Sequence, residues 1–213
     1  MSFVPDLPVL TAFAAASLLL VITPGPDMTL FVGRALSEGR AAAIACVAGT
    51  STGIFIHTVL VALGISALVV ASPTAFLALK AGGALYLLWL ALRAILGGST
   101  FRMEQFEGPQ RTLFSSWSHG LAVNLLNPKI IIFFMTFLPQ FVSVDDPNII
   151  GKLLFLGIFY DVISLPIAIA MVLVAGRLAA WLNGNRRVMR LVDYLFAGVF
   201  SAFAVKILLT EGR

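Results

Sequence analysis

Apolar residues fall along this chain in six long runs, near residues 7–33, 41–71, 74–96, 115–141, 151–176 and 188–209. About 20 largely apolar residues carry a helix across the hydrocarbon core of a bilayer, so each run predicts one membrane-spanning helix. None alternates apolar and polar positions over its length, which argues against barrel strands. Turn-forming residues end the runs: Ser72-Pro73 closes the second and Gly97-Gly98 the third. The polar stretch near residues 98–114, with Arg102, Glu104, Glu107, Gly108, Pro109 and Arg111, predicts a loop.

Composition excludes a soluble globule. Of 213 residues, 60% are apolar and only 11% charged, against about 25% charged in an average soluble domain. A mean hydropathy of +1.01 leaves too little polar surface to cover a core in water. The net charge of +4 does not mark a nucleic-acid surface, because the basic residues are scattered between apolar runs. They report topology instead. Arg34, Arg40, Arg93, Arg102, Arg111, Arg177, Arg186, Arg187 and Arg190 flank one side, and Lys80, Lys152, Lys206 and Arg213 the other, nine against four. The positive-inside rule puts the first set in the cytoplasm and both termini outside, which in a bacterium is the periplasm across the inner membrane. Residues 1–10 hold no Lys or Arg, so the first span lacks the basic region of a secretory signal and is expected to be retained.

An offset of 104 residues aligns Pro24 with Pro128 and Gly53-Ile54-Phe55-Ile56-His57 with Gly157-Ile158-Phe159-Tyr160-Asp161. It also superimposes span one on span four and span two on span five. Halves of three spans each must lie oppositely in the membrane, which predicts two inverted repeats, about residues 7–97 and 115–209, in a single transporter domain spanning 1–213 and joined by a cytoplasmic linker.

Polar chemistry collects at two interruptions. Pro24-Gly25-Pro26-Asp27 breaks the first span and Asn127-Pro128-Lys129 the fourth. Proline removes a backbone donor and clashes one turn back, so both spans should unwind at mid-depth. Freed backbone groups are tolerable there only beside a cavity or buried in protein. Paired breaks at matching points of two halves point to a transporter's binding site. Asp27, Lys129 and Asp161 lie near the centres of spans one, four and five, where an uncompensated charge costs at least about 2.5 to 3.5 kcal/mol. They should face a polar interior; a Lys129–Asp161 ion pair is the purely structural alternative. Pro166, five residues past Asp161, offers a kink to aim that carboxylate.

His57, equivalent to Asp161 in the repeat, is either a neutral histidine bonded to a carbonyl or a proton-binding group. With His119 the only other histidine and Cys46 the single cysteine, no metal site or disulfide assembles. Gly49-x-x-x-Gly53 is a stripe for close helix packing. Tyr86, one turn from Trp89, is a candidate site-lining group near mid-depth. Arg34, Glu38 and Arg40 read as cytoplasmic loop charges, with a gating ion pair as the alternative.

Thr23-Pro24-Gly25-Pro26-Asp27, followed by Arg34-Ala35-Leu36-Ser37-Glu38-Gly39-Arg40, resembles the opening signature of the LysE/RhtB superfamily of amino-acid exporters. The likeness continues through Gly49, Gly53, His57, Lys80-x-x-Gly83-x-x-Tyr86-Leu87, Asn124-x-x-Asn127-Pro128-Lys129, Phe137-Leu138-Pro139-Gln140-Phe141 and Asp161. It covers nearly the whole chain and is nearest the threonine, homoserine and leucine exporter branch. Ala43 departs from it where the family often has glycine, which bears on packing at the start of span two.

The resemblance implies export of a neutral amino acid from the cytoplasm by proton antiport, with protons, substrate and bilayer as partners and no cofactor. The residues expected to bind substrate are Pro24, Gly25, Pro26, Asp27, Tyr86, Asn124, Asn127, Pro128, Lys129 and Asp161, and those expected to couple protons are Asp27, His57 and Asp161. Free N–H groups at the first break, with Lys129, would meet the carboxylate of a zwitterion. Asp161, or alternatively Asp27, would meet its ammonium, and protonation of Asp161 from outside would release it. A passive channel and an intramembrane enzyme using Asp27, His57, Lys129 and Asp161 are the competing classes. The chain lacks a nucleophile elbow, zinc motif or phosphate loop, which weighs against the enzyme. A homodimer suits so small a bundle, although no residue demands one.

Overall fold

The computed structural model describes residues 3–97, 112–143 and 145–211, and every described element is helical. The linker residues 98–111, with Arg102, Glu104, Glu107 and Arg111, and the terminal Arg213 lie outside the described residues. Helices α1 (Leu7–Ile22) and α2 (Pro26–Ser37) replace the expected single first span. Pro24 and Pro26 have no N–H to donate, and Gly25 between them is fully extended, so the ladder stops at Thr23, whose N–H still reaches Leu19. The axis bends by 50° there.

Helices α3 (Arg40–Ala71) and α4 (Pro73–Gly97) follow, divided by Ser72-Pro73. The fourth expected span is likewise divided. Helix α5 (Leu113–Leu125) ends at Leu126, and α6 (Pro128–Ile132) starts beyond it, with Asn127 capping it by accepting from the Lys129 N–H. Helix α6 widens into a π-turn at Phe133–Phe137 and tightens to 3-10 geometry at Leu138–Phe141, where Pro139 cannot continue the ladder. This pair bends by 52°. Helices α7 (Ile149–Leu173), α8 (Ala175–Gly184) and α9 (Arg186–Glu211) complete the chain. Pro166 lies within α7 without ending it.

By length and composition α3 and α7 are each able to cross a membrane, with mean hydropathies of 2.5 and 2.2, and each bent pair passes as one span. Leu60, Leu63 and Val70 on α3 and Ile158 and Val162 on α7 turn outward, as lipid-facing positions do. Helices α4 and α9 stand where the third and sixth runs lie. Two expectations need correction. Arg177, Arg186, Arg187 and Arg190, which the charge count sets between the fifth and sixth runs, belong to helices α8 and α9 and not to a loop, because ten residues from Ala175 suffice for an amphipathic helix. Arg34 is not a loop charge either: α2 runs on to Ser37, and Arg34 is fully buried in its last turn.

The core is aromatic. Phe13, Phe133, Phe134, Phe137, Tyr160 and Phe200 interlock from α1, the α6 π-turn, α7 and α9. On the other side, α3 and α5 cross at backbone contact. A Cβ on Gly49 would overlap the Trp117 carbonyl oxygen, and one on Gly120 the Cys46 carbonyl oxygen. Cys46 Sγ donates to the Ser116 carbonyl at 3.1 Å, and Thr50 Oγ1 to that of Gly120 at 3.3 Å. The glycine stripe read from the sequence is therefore a helix crossing, with Cys46 buried in it.

Outside the helices, Asp146 accepts from the Lys152 ammonium at 2.5 Å and from the Asn148 N–H at 2.9 Å. Burial alone would raise this carboxyl's pKa, but the Lys152 bond and charge, with the Asn148 N–H, outweigh it and hold it below its usual range. A depressed carboxyl stabilises the fold above its unfolded pKa and loses that contribution as pH falls through the folded one. The thermal midpoint is thus expected to drop below about pH 4, less steeply in Asp146→Asn. Superimposable pH profiles for the two proteins would refute this role.

Candidate functional site

The two breaks meet. Their residues line a cavity of about 50 Å³, room for roughly three to five waters at about 10–15 Å³ each. Its polar wall is Thr23, Gly25, Asp27, Asn127, Lys129, Thr50, Tyr160 and Ser164, and its apolar wall includes Leu20, Val21, Met28, Phe31, Ile54, Ile130, Ala168 and Met171.

Lys129, in the first turn of α6, reaches across to α1. Its Nζ donates to the Thr23 carbonyl at 2.6 Å, an acceptor left open by the break, and the side chain runs alongside Gly25, 3.5 Å from where a Cβ would stand. Asp27, in the first turn of α2, lies in the favourable field of that helix's N-terminus. Its Oδ2 accepts from Asn127 Nδ2 at 2.9 Å and, more weakly, from Asn124 Nδ2 at 3.5 Å. Asp27 and Lys129 are close enough to interact electrostatically. Asp27 Oδ1 is buried and accepts no hydrogen bond from the protein. Each break thus supplies one charge, and the asparagines of the second break hold the carboxylate of the first.

Asp161 stands apart. It is not among the cavity-lining residues; on α7 the lining positions are Tyr160, Ser164, Ala168 and Met171, a face at i, i+4, i+8 that a helix turns away from position 161. Its Oδ2 accepts from Ser51 on α3 at 2.5 Å, and its Oδ1 has no protein partner. No Lys129–Asp161 salt bridge occurs among the described residues. Tyr160, fully buried, lies within electrostatic reach of both Asp27 and Asp161. His57 is buried on α3, its Nε2 at 3.5 Å from the Asn124 carbonyl and its ring 5.9 Å from that of Phe134. That is the carbonyl-bonded arrangement weighed from sequence, one residue removed from the Asp27 network. Tyr86 packs its ring on Trp89 at 5.1 Å and is absent from the cavity wall. Pro24, Pro26 and Pro128 act through the backbone, by making the breaks.

Sequence reasoning missed Thr50, Ser51, Tyr160 and Ser164. Tyr160 was within sight, since it precedes Asp161 in the repeat match, and stepping by four from it gives Ser164 and Ala168. Ser51 carried no signal, because a serine on an apolar helix usually bonds its own backbone. No group of three or more His, Cys, Asp or Glu side chains that could hold a metal occurs among the described residues.

Residues 18–211 match the family described as LysE type translocator. The chain is 30% identical to a homoserine/homoserine lactone efflux protein of Salmonella typhimurium, over 89% of this chain and 90% of that one. It is 27% identical to a leucine efflux protein of Enterobacter, over 92% of each, and 26% identical to an uncharacterized membrane protein of Bacillus subtilis, over 83% of this chain and 88% of that protein. No solved structure matches it.

Proposed function

Because the chain belongs to the LysE type translocator family and is a membrane transporter rather than an enzyme, we propose that it exports a neutral amino acid from the cytoplasm by proton antiport. The observation that carries this reading is the junction of the two breaks, where Asp27 and Lys129 face one cavity. A zwitterionic amino acid carries its ammonium and carboxylate on the same carbon, and this cavity offers a complementary pair of charges. Lys129, released from the Thr23 carbonyl, with N–H groups at the start of α2, receives the carboxylate. Asp27, steadied by Asn124 and Asn127, receives the ammonium through Oδ1. The geometry favours Asp27 over Asp161 here, because only Asp27 lines the cavity. Met28, Phe31, Ile130 and Met171 suit an uncharged side chain, in keeping with relatives named for homoserine and leucine efflux.

Asp161 is then the proton-coupling carboxylate, next in sequence to the cavity-lining Tyr160, with Ser51 as its partner and Tyr160 within electrostatic reach of both it and Asp27. We take α4 and α9 as the third and sixth spans, so that two inverted halves, residues 7–97 and 115–209, rock about the shared site in the bacterial inner membrane with both termini periplasmic. Alternating access then exposes this site to one side of the membrane at a time as the halves part.

The test is efflux of labelled leucine, threonine and lysine from proteoliposomes, with and without an imposed pH gradient. Wild type is expected to export leucine or threonine in preference to lysine, to be accelerated by the gradient and to show counterflow. Asp161→Asn is expected to lose the acceleration and keep counterflow. Efflux without saturation or counterflow would indicate a channel, and undiminished acceleration in Asp161→Asn would remove that residue from the coupling path.

A further inference from the structure

Arg34 heads the fully buried side chains by size, with 0% exposure. Its Nη2 donates to His119 Nδ1 on α5 at 2.7 Å, and its Nη1 pairs with Glu38 one turn further along. The Glu38 side chain is only 8% exposed. Accepting that bond requires an unprotonated Nδ1, so His119 is the neutral tautomer with its proton on Nε2. Arg34 lies seven residues beyond Asp27 on α2, which is about 10 Å along the axis and within about 20° of the same direction. Phe31, 4% exposed, stands between them and lines the cavity. Below the cavity, therefore, come first the ring of Phe31 and then a buried cation, on the side that the positive-inside count assigns to the cytoplasm.

The tie is also placed between halves. Helix α2 is the cytoplasmic limb of the first broken span and α5 that of the fourth, so the Arg34–His119 bond joins the two segments that must separate for substrate to enter. The rest of α2 packs on apolar groups, Ala43, Cys46 and Val47 of α3 in its own half and Met171, Ala175 and Ala179 of α7 and α8 in the other, and the nearby Arg40 guanidinium donates instead to the Leu173 carbonyl at 3.1 Å. Burying a guanidinium costs several kcal/mol before its partners repay it, and apolar residues of equal volume usually seal a permanent interface at least as well. A polar tie has a different merit. Its groups regain water on opening, so parting it costs only the modest net strength of a charge-assisted hydrogen bond, whereas a purely apolar seal loses free energy for every Å² wetted on opening.

We propose that Arg34, His119 and Glu38 form the cytoplasmic latch of the transport cycle, closed here and parted when the cavity opens to the cytoplasm. This rests on the exporter reading for its purpose, but its test does not need transport. In a Cys46→Ala background, which has no other cysteine, Met171→Cys places a thiol in the cavity wall. Its reaction with a charged, membrane-impermeant methanethiosulfonate is followed in inside-out and right-side-out vesicles. His119→Phe keeps the ring's bulk and removes the acceptor; Arg34→Gln removes the charge. Both are expected to speed labelling from the cytoplasmic face about tenfold or more, as loss of one charge-assisted hydrogen bond implies, and to leave the periplasmic face within about twofold. His119→Glu, which restores an acceptor for Arg34, is expected to return labelling to the slow rate. An unchanged cytoplasmic rate in His119→Phe, an equal rise at both faces, or no return in His119→Glu would overturn the latch. His119 is half-buried, so its variants decide the matter even if Arg34→Gln does not fold. A parent protein that exports no amino acid but labels as expected would sink the exporter reading and leave the latch standing.

Discussion

Asp27→Asn is expected to cut amino-acid efflux from proteoliposomes at least about 30-fold, because removing one member of a buried, hydrogen-bonded charge pair costs about 2–5 kcal/mol. Asparagine is nearly isosteric and its Oδ1 can still accept from Asn127, which now donates to Asp27 at 2.9 Å. Insertion and yield should therefore be preserved, and the loss should fall on counterflow as well as on gradient-driven efflux. That pattern separates it from Asp161→Asn, in which counterflow survives. Lys129→Gln is expected to fail similarly. Since the two charges act on one ligand and on each other, the double variant should lose little more than either single one. Efflux by Asp27→Asn above half the wild-type rate would show that the cavity carboxylate does not hold the substrate.

Gly49→Leu is expected to abolish the folded bundle. A Cβ alone at this position would overlap the Trp117 carbonyl oxygen and lies 2.8 Å from the Leu121 nitrogen. Both are backbone atoms of α5, which no rotamer change can move. Overpacking ordinarily costs about 1–3 kcal/mol, and a clash of side chain with backbone on a helix crossing belongs at or beyond the top of that range. Gly82→Leu is the control, since nothing stands within 4 Å of a Cβ there. The checks are the monodisperse fraction and thermal midpoint of the detergent-purified proteins. Equal midpoints for Gly49→Leu and wild type would mean that the α3–α5 crossing is looser than drawn.

The consequence for function lies in what this crossing positions. Asn124 sits on α5 with Gly53 of α3 pressed against its side chain; a Cβ on Gly53 would come 2.5 Å from Asn124 Oδ1. The close approach of the helices therefore fixes the amide that, with Asn127, orients Asp27. Packing at the glycine stripe and chemistry at the breaks are thus one mechanical unit. Substitutions along the stripe should weaken export before they prevent insertion.

Much of this was legible in the chain because it follows from local rules. Runs of apolar residues determine helices that must satisfy their own backbone in lipid, and Pro24, Pro26 and Pro128 determine where two of those helices break, since a missing N–H acts within one turn. The sequence thereby named Asp27, Lys129, Asn124 and Asn127 as candidates, and the structure brings them together at one cavity. Only the tertiary structure decided which face each helix turns to the cavity. That is a matter of a few tens of degrees of rotation, which alone separates Tyr160 and Ser164, in the wall, from Asp161, against Ser51. It likewise moved Arg34 from an expected loop to a fully buried tie with His119, 85 positions away in sequence. No pattern along one helix reports a partner on another; burial and pairing of charges arise only when distant segments are brought together.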